Sequence, residues 1–391
     1  METKITRPVW AEINLDNLAN NIKEVKRITK EGTLVTAVVK ADGYGHGALM
    51  CAKTFLDNGA DRLAVATLSE AIQLREKGID EHLLILGYTP TEQAKEVVDY
   101  DITQTIYKYE QGKKLSDEAI KQNKDVKVHI KIDSGMSRLG FFPNEKTIDE
   151  IIKISKLPNL EIEGIFTHFA RADEKNKKAT NKQYERFTWV IEKLNEKEVN
   201  IPLKHVSNSA TIIDINDYNL DMVRAGIMIY GLKPSDEVMY SKVNLKPAMT
   251  LKAKIAHIKE VPENTGISYG HKYITDTLTK VGTLPIGYAD GYTRLLSNKA
   301  KVGVNGQQAP ILGNICMDQC MIDLTNVKDV KVGDEVILFG EGKNNSPHTD
   351  DIANILGTIN YEIVCMVSKR VPRVYVKEGK IVHIKDHILE S

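Results

Sequence analysis

The sequence predicts an α/β chain: a closed (β/α)8 barrel over residues 1–240, then a mostly-β domain over 241–391, with residues 1–12 candidates to pack with the second domain. Three observations predict this. Between residues 34 and 231, short apolar, β-branched runs alternate with helix-period segments, and strictly alternating βα units build a parallel sheet. The strand candidates number eight, which suggests closure into a TIM-type barrel rather than an open doubly wound sheet. After about residue 240 the texture changes to short strand candidates separated by turn signals such as Asn305-Gly306, which argues for an all-β domain.

The elements follow in order. Asp16 or Asn17 can cap a first helix in which Leu18, Ile22, Val25 and Ile28 recur at helical spacing. The run from Leu34 to Val39 reads as a strand buried on both faces, and it ends on Lys40. A loop carrying Gly43, Gly45 and Gly47 leads from there into a helix over 48–56. Strand–helix pairs are then expected at 62–66 and 71–75, 83–86 and 92–98, 102–107 and 111–121, and 128–133 and 148–155. Two more are expected at 162–169 and 182–197, and at 205–208 and 210–213, before the eighth strand at 222–225. In the second domain, strands are expected at 249–259, 280–285, 301–304 and 336–339, with one helix at 350–356. A hairpin over 371–382, turning at Lys377-Glu378-Gly379-Lys380, closes the chain.

Composition removes several function classes. Lys plus Arg and Asp plus Glu are 53 each, so no net field favours nucleic acid or an anionic membrane. No stretch is long and apolar enough to span a bilayer, and the start lacks a signal peptide's apolar core. Cys51, Cys316, Cys320 and Cys365 are too few for a disulfide framework. Cys316 and Cys320 sit in a β segment without a nearby histidine, so no metal is expected. A cytoplasmic protein with reduced thiols is the expected setting.

In a (β/α)8 barrel, chemistry gathers at the C-terminal ends of the strands, and phosphate docks after strands seven and eight. That rule collects Lys40, Lys131 with Asp133, His168, Ser207 to Ser209, and Arg224 with Gly226. A lysine at the end of a buried strand is costly unless employed, and desolvation turns its amine into a nucleophile for carbonyl carbons. One such lysine, several bases and a hydroxyl beside a glycine fit pyridoxal phosphate. Gly43-x-Gly45-x-x-Ala48 also fits a relaxed dinucleotide fingerprint, but that reading needs an open sheet and gives Lys40 no role.

The motifs resemble the alanine racemase family over essentially the whole length. Val38-Val39-Lys40-Ala41-Asp42-Gly43-Tyr44-Gly45-His46-Gly47 is similar to that family's cofactor-lysine signature. Lys131-Ile132-Asp133-Ser134-Gly135-Met136-Ser137-Arg138-Leu139-Gly140 is similar to a second motif, with Ser134 where Thr is more usual. His205-Val206-Ser207-Asn208-Ser209-Ala210, Val223-Arg224-Ala225-Gly226-Ile227, Ser268-Tyr269-Gly270, Gly287-Tyr288-Ala289-Asp290-Gly291-Tyr292 and Ile315-Cys316-Met317-Asp318 follow in order.

The resemblance implies an amino-acid racemase that interconverts L- and D-alanine for bacterial peptidoglycan. Lys40 would hold the cofactor and act as one acid/base group, and Tyr269 from the partner of a head-to-tail homodimer would be the other. Tyr44, Ser209, Gly226, Ile227 and Tyr361 would hold the phosphate. Arg224 would face the pyridine nitrogen with His205 behind it, and His168 would tune Tyr269. Arg138 and the backbone at Met317 would grip the substrate carboxylate, with Lys131 carbamylated to fix Arg138. Tyr288, Asp173 and Arg294 would line the entry channel. Serine or another small amino acid stays open as a further substrate.

Two rivals share the cofactor. A barrel-plus-β-domain decarboxylase places an acidic residue at the ring nitrogen, where this chain has Arg224. A non-catalytic pyridoxal-phosphate carrier has no second domain and no use for Tyr269.

Overall fold

The computed structural model describes residues 7–389. Its centre is an eight-stranded parallel sheet made of Leu34–Val38, Arg62–Val65, Leu83–Ile85, Thr103–Ile106, Val126–Lys131, Leu160–Phe166, Leu203–His205 and Met222–Ala225. The first strand pairs in parallel with both the second and the eighth. Between the seventh and eighth strands, Asp221 N donates to Lys204 O at 3.2 Å and Arg224 N to Ser207 O at 3.1 Å, which brings the barrel round on itself.

Several strands end earlier than their sequence suggests. The expected strand 128–133 is Val126–Lys131, 162–169 is Leu160–Phe166, and 205–208 is Leu203–His205. The residues beyond these strand ends include Asp133, His168 and Ser207, and they lie on the loops at the top of the barrel. The first helix also differs. It is Leu15–Ile28, capped by Asn14, whose side chain accepts from Asn17 N at 2.9 Å. Asn17 instead donates from its own amide to Pro247 O at 2.8 Å, tying the helix to the chain leaving the barrel.

The second half forms a ten-stranded sheet that takes Val9–Asn14 from the N-terminus into its interior. That strand pairs antiparallel with Met249–Lys254 and parallel with Arg373–Lys377. The expected strand 249–259 is two strands, Met249–Lys254 and His257–Val261, divided at the buried Ile255. The first pairs with Glu335–Phe339 and the second with Thr279–Leu284, so the chain leaves one part of the sheet for another at that corner. The late helix is Thr349–Leu356, and a further helix that the sequence pattern does not predict, Asn360–Met366, follows it.

Candidate active site

Lys40 opens a short turn, Lys40–Tyr44, rather than ending the strand. Ala41, Asp42 and Tyr44 all take left-handed backbone angles, with φ of 53°, 51° and 51°. Each costs about 1–2 kcal/mol in an L-residue, so the surroundings must over-determine the turn. They do so from both halves of the molecule. Glu70 Oε1 accepts from Ala41 N at 2.7 Å, and Asp42 Oδ1 accepts from Ala48 N at 2.8 Å. The buried Arg373 donates to Gly45 O at 3.0 Å and also binds the carbonyls of Val367, Ser368 and Val371. Strain held this firmly marks a turn kept for what it positions.

What it positions is a cavity of about 670 Å³ at the mouth of the barrel. Lys40, Tyr44, Lys131, Arg138, His168, Asp173, Ser209, Arg224, Gly226, Ile227 and Tyr361 all line it. Eleven of the sequence-predicted residues therefore meet in one place. His205 lies fully buried behind the wall, with its Nδ1 2.7 Å from Arg224 Nη1.

The floor after the seventh and eighth strands suits a phosphate. Ser209 begins a short helix and its hydroxyl accepts from Gly226 N at 3.1 Å and Met228 N at 3.4 Å. A Cβ at Gly226 would sit 3.0 Å from the Tyr44 hydroxyl and 3.6 Å from Ser209 Oγ, so only glycine leaves that cradle open. The helical turn Ile227–Tyr230 starts beside it, where backbone N–H groups lack partners within the helix.

Electrostatics point the same way. Lys40, Lys131, Arg138 and Arg224 face the cavity against two lining carboxylates, Asp173 and Glu362, so it favours an anionic guest. Burial, then the Arg138 charge, holds the Lys40 amine below its usual range. Lys131 is pushed well down by burial, then by Arg224 and Arg138, and its Nζ has no hydrogen-bond partner among the described residues. It lies 4.3 Å from the centroid of the Phe166 ring. Burial and Arg138 bring the Arg224 guanidinium down to about 9, which leaves it cationic at neutral pH. His168 is driven well below the imidazole range by burial and by Arg224. The open phosphate cradle, the depressed Lys40 amine lining the cavity and the positive wall all fit pyridoxal phosphate.

The remaining predicted residues are not brought to this cavity by the single chain. Tyr269 is 70% exposed and Met317 52% exposed, with Tyr288 also exposed. They belong to neighbouring loops of the β domain. Ser268 Oγ lies 3.5 Å from Cys316 Sγ, and Tyr288 N donates to Cys316 O at 3.0 Å. Arg294 starts the adjoining turn Arg294–Leu296. The turn at Tyr288 is pinned from beneath by Asp290, which is fully buried and accepts from Arg7 at 2.5 and 2.8 Å.

Two sequence expectations need correction. Asp133 is not one of the bases: its Oδ1 accepts from the backbone N–H of Gly135, Met136 and Ser137, so it shapes the Arg138 loop. Ser207 donates its hydroxyl to Tyr218 O at 2.7 Å and is likewise structural. Sequence reasoning misses Glu70 and Arg373, which brace the lysine turn. The Thr67-x-x-Glu70 capping box is a signal for the first, and Arg373 leaves none.

Comparison with known proteins agrees with this geometry. Residues 13–234 match the family "Alanine racemase, N-terminal domain", and residues 248–375 match "Alanine racemase, C-terminal domain". The alanine racemase of Clostridium tetani is 51% identical over 386 residues, covering 98% of this chain and 100% of that protein. Among solved structures, the alanine racemase of Clostridium difficile 630 superposes with a TM-score of 0.96 at 48% identity, covering 98% of this chain and 100% of the other. That of Bacillus anthracis with bound L-Ala-P gives 0.94 at 37% identity, over 99% of this chain and 100% of the other.

Proposed function

The chain belongs to the alanine racemase family, enzymes that interconvert L- and D-alanine on pyridoxal phosphate, and from that premise we propose how its residues divide the work. The observation that carries the assignment is the convergence of Lys40, Arg138 and Arg224 on one positive cavity beside the Ser209–Gly226 cradle. Residues 1–240 act as the cofactor-binding domain, and residues 241–391 complete the partner's site.

Lys40 would hold the cofactor covalently through its amine until the substrate's amine takes its place, which frees Lys40 Nζ to move a proton. Tyr44, Ser209, Gly226, Ile227 and Tyr361 hold the phosphate, and Arg224 faces the ring nitrogen. When bound, pyridoxal phosphate withdraws electrons from the substrate's Cα. Arg138, with the partner's backbone at the position of Met317, orients the substrate carboxylate. Racemisation requires a proton to leave one face of Cα and another to arrive on the opposite face. Lys40 Nζ moves the proton on one face and the Tyr269 hydroxyl of a second copy moves it on the other, with His168 beside that hydroxyl. Tyr288, Asp173 and Arg294 line the approach. Exposed Tyr269 and Met317 on adjoining loops support a head-to-tail homodimer, since side chains of that size are usually covered when they cluster. No helix of the described residues is long and apolar enough to cross a membrane. We place the enzyme in the cytoplasm, supplying D-alanine for peptidoglycan.

Subunit complementation tests the shared site. Tyr269→Phe alone is expected to lose about 10²-fold or more of the rate, the usual worth of a positioned acid/base group. Mixing and refolding it with inactive Lys40→Ala should restore activity, because one of the two sites in a heterodimer is then intact. No recovery in a mixture shown to contain heterodimer would overturn the assignment.

Lys131 carries a second expectation. A buried amine held well below its usual range by burial, Arg224 and Arg138 is poised to attack carbon dioxide: the N–C bond forms, one oxygen takes the π electrons, and nitrogen releases a proton. The resulting carbamate carries a negative charge that attracts and fixes Arg138. Equilibration with ¹³C-bicarbonate should give a carbamate resonance that Lys131→Ala lacks, and the variant should show a raised KM for alanine. A labelled wild-type protein without the resonance would exclude the modification.

A further inference from the structure

Behind the cavity wall, four polar side chains run in a line through the barrel interior, none more than 5% exposed. Arg224 Nη1 is 2.7 Å from His205 Nδ1, His205 Nε2 is 2.8 Å from His129 Nδ1, and His129 Nε2 is 2.9 Å from Glu163 Oε2. Glu163 is in turn held by Arg62 at 2.7 Å and Lys127 at 3.3 Å. The line begins at the guanidinium and ends at a carboxylate, and those two ends fix every proton between them. A guanidinium only donates, so His205 Nδ1 accepts and its proton sits on Nε2. That proton makes His129 Nδ1 an acceptor and leaves the His129 proton on Nε2, where it meets Glu163. No other arrangement of two neutral imidazoles satisfies all three contacts.

The barrel is shaped around this line. The ladder between Val126–Lys131 and Leu160–Phe166 shifts register between Val128 and His129, which re-aims the His129 side chain. A Cβ at Gly164 would come within 2.6 Å of the His129 ring, so the residue after Glu163 must be glycine for the imidazole to lie there. Phe166 stacks flat on His205, with ring centroids 4.6 Å apart and planes 7° from parallel. Burial alone would raise the Glu163 carboxyl, but hydrogen bonds from His129 and Arg62 hold it well below its usual range. Burial keeps both histidines neutral, His205 with help from the Arg224 charge.

We propose that His129 and Glu163 are positioning residues for Arg224: the carboxylate orders both imidazole tautomers, so that His205 always presents a lone pair to the guanidinium. This rests on the reading of Arg224 given above. Its consequence is particular. Arg224 is anchored to a carboxylate two imidazoles away, not beside it, and each imidazole proton points away from the cavity toward Glu163. The guanidinium keeps its charge and its aim, and no acid is placed next to the cofactor site.

Long-range ¹H–¹⁵N correlation of histidine-labelled holoenzyme tests this without relying on activity. The expected result is that His205 and His129 are both neutral and protonated on Nε2. An imidazolium, or a proton on either Nδ1, overturns the proposal. Glu163→Gln keeps an oxygen for His129 and should retain both tautomers and a near wild-type kcat. Glu163→Leu removes the acceptor and should mix the tautomers, lowering kcat on the order of tenfold, the worth of one charge-assisted hydrogen bond, with KM little changed. Unchanged tautomers and kcat in folded Glu163→Leu would refute the idea; if that variant fails to fold, the wild-type and Glu163→Gln spectra decide. The ring tautomers are read independently of the reaction, so a failed reading of Arg224 would leave them as expected.

Discussion

Lys40→Ala is expected to abolish racemisation and to remove the visible absorbance of protein-bound cofactor. Two losses coincide in this one substitution. On the proposed roles, the covalent hold on the cofactor and the proton-transfer group on one face of Cα would both be lost, so the rate should fall by about 10⁴ or more. The fold should survive. Strain in the turn is carried by Ala41, Asp42 and Tyr44, while Lys40 itself is not among the residues with positive φ. The braces from Glu70, Asp42 and Arg373 all end on backbone groups that alanine leaves in place. Circular dichroism should therefore match wild type while the absorbance disappears. Retained absorbance with normal turnover would remove Lys40 from the centre of the site.

Much of this site is legible in the amino-acid sequence alone, and for a physical reason. Barrel chemistry lies where strands meet loops, so strand order by itself collects Lys40, His168, Ser209 and Arg224. The family resemblance adds what position cannot supply, above all Tyr269, Met317 and Tyr361, which come from the β domain or its helices. Other features depend on contacts that a linear pattern does not carry. Asp133 reads as a base until the loop after it folds back and offers three N–H groups. His129 and Glu163 look like ordinary members of two strands, and His129 meets a histidine 76 positions away in the chain. The first helix shows the same limit on a smaller scale. Asn14, Asp16 and Asn17 are all competent caps, and Asn14 takes the role while the Asn17 amide binds Pro247.

The substitution Arg224→Glu is expected to change what the site does as well as how fast. A guanidinium cannot accept a hydrogen bond and stays charged, so in the proposed role Arg224 would favour an unprotonated ring nitrogen and leave negative charge at Cα. On the proposed roles, Lys40 or Tyr269 would return the proton to Cα before side reactions intervene. A carboxylate in the same place would favour a protonated ring nitrogen and let the charge spread away from Cα. Racemisation should fall, with a new long-wavelength absorbance and slow pyruvate formation from alanine. The surroundings make the exchange severe. Arg224 donates to the carbonyls of Thr167 at 2.9 Å and Val206 at 3.2 Å, and its Nη1 and Nη2 lie 2.7 and 3.4 Å from the Nδ1 atoms of His205 and His168. A glutamate would face four acceptors, and each buried acceptor left unpaired costs about 1–3 kcal/mol. His205 would have to turn its proton toward the new carboxylate, reversing the order that Glu163 imposes through His129. Stability must therefore be measured alongside chemistry, by thermal melting of the holoenzyme. Stopped-flow spectra and a pyruvate assay on folded variant then separate the two effects. A folded Arg224→Glu enzyme with no new band, and an unaltered ratio of pyruvate formation to racemisation, would mean that Arg224 only packs and pairs.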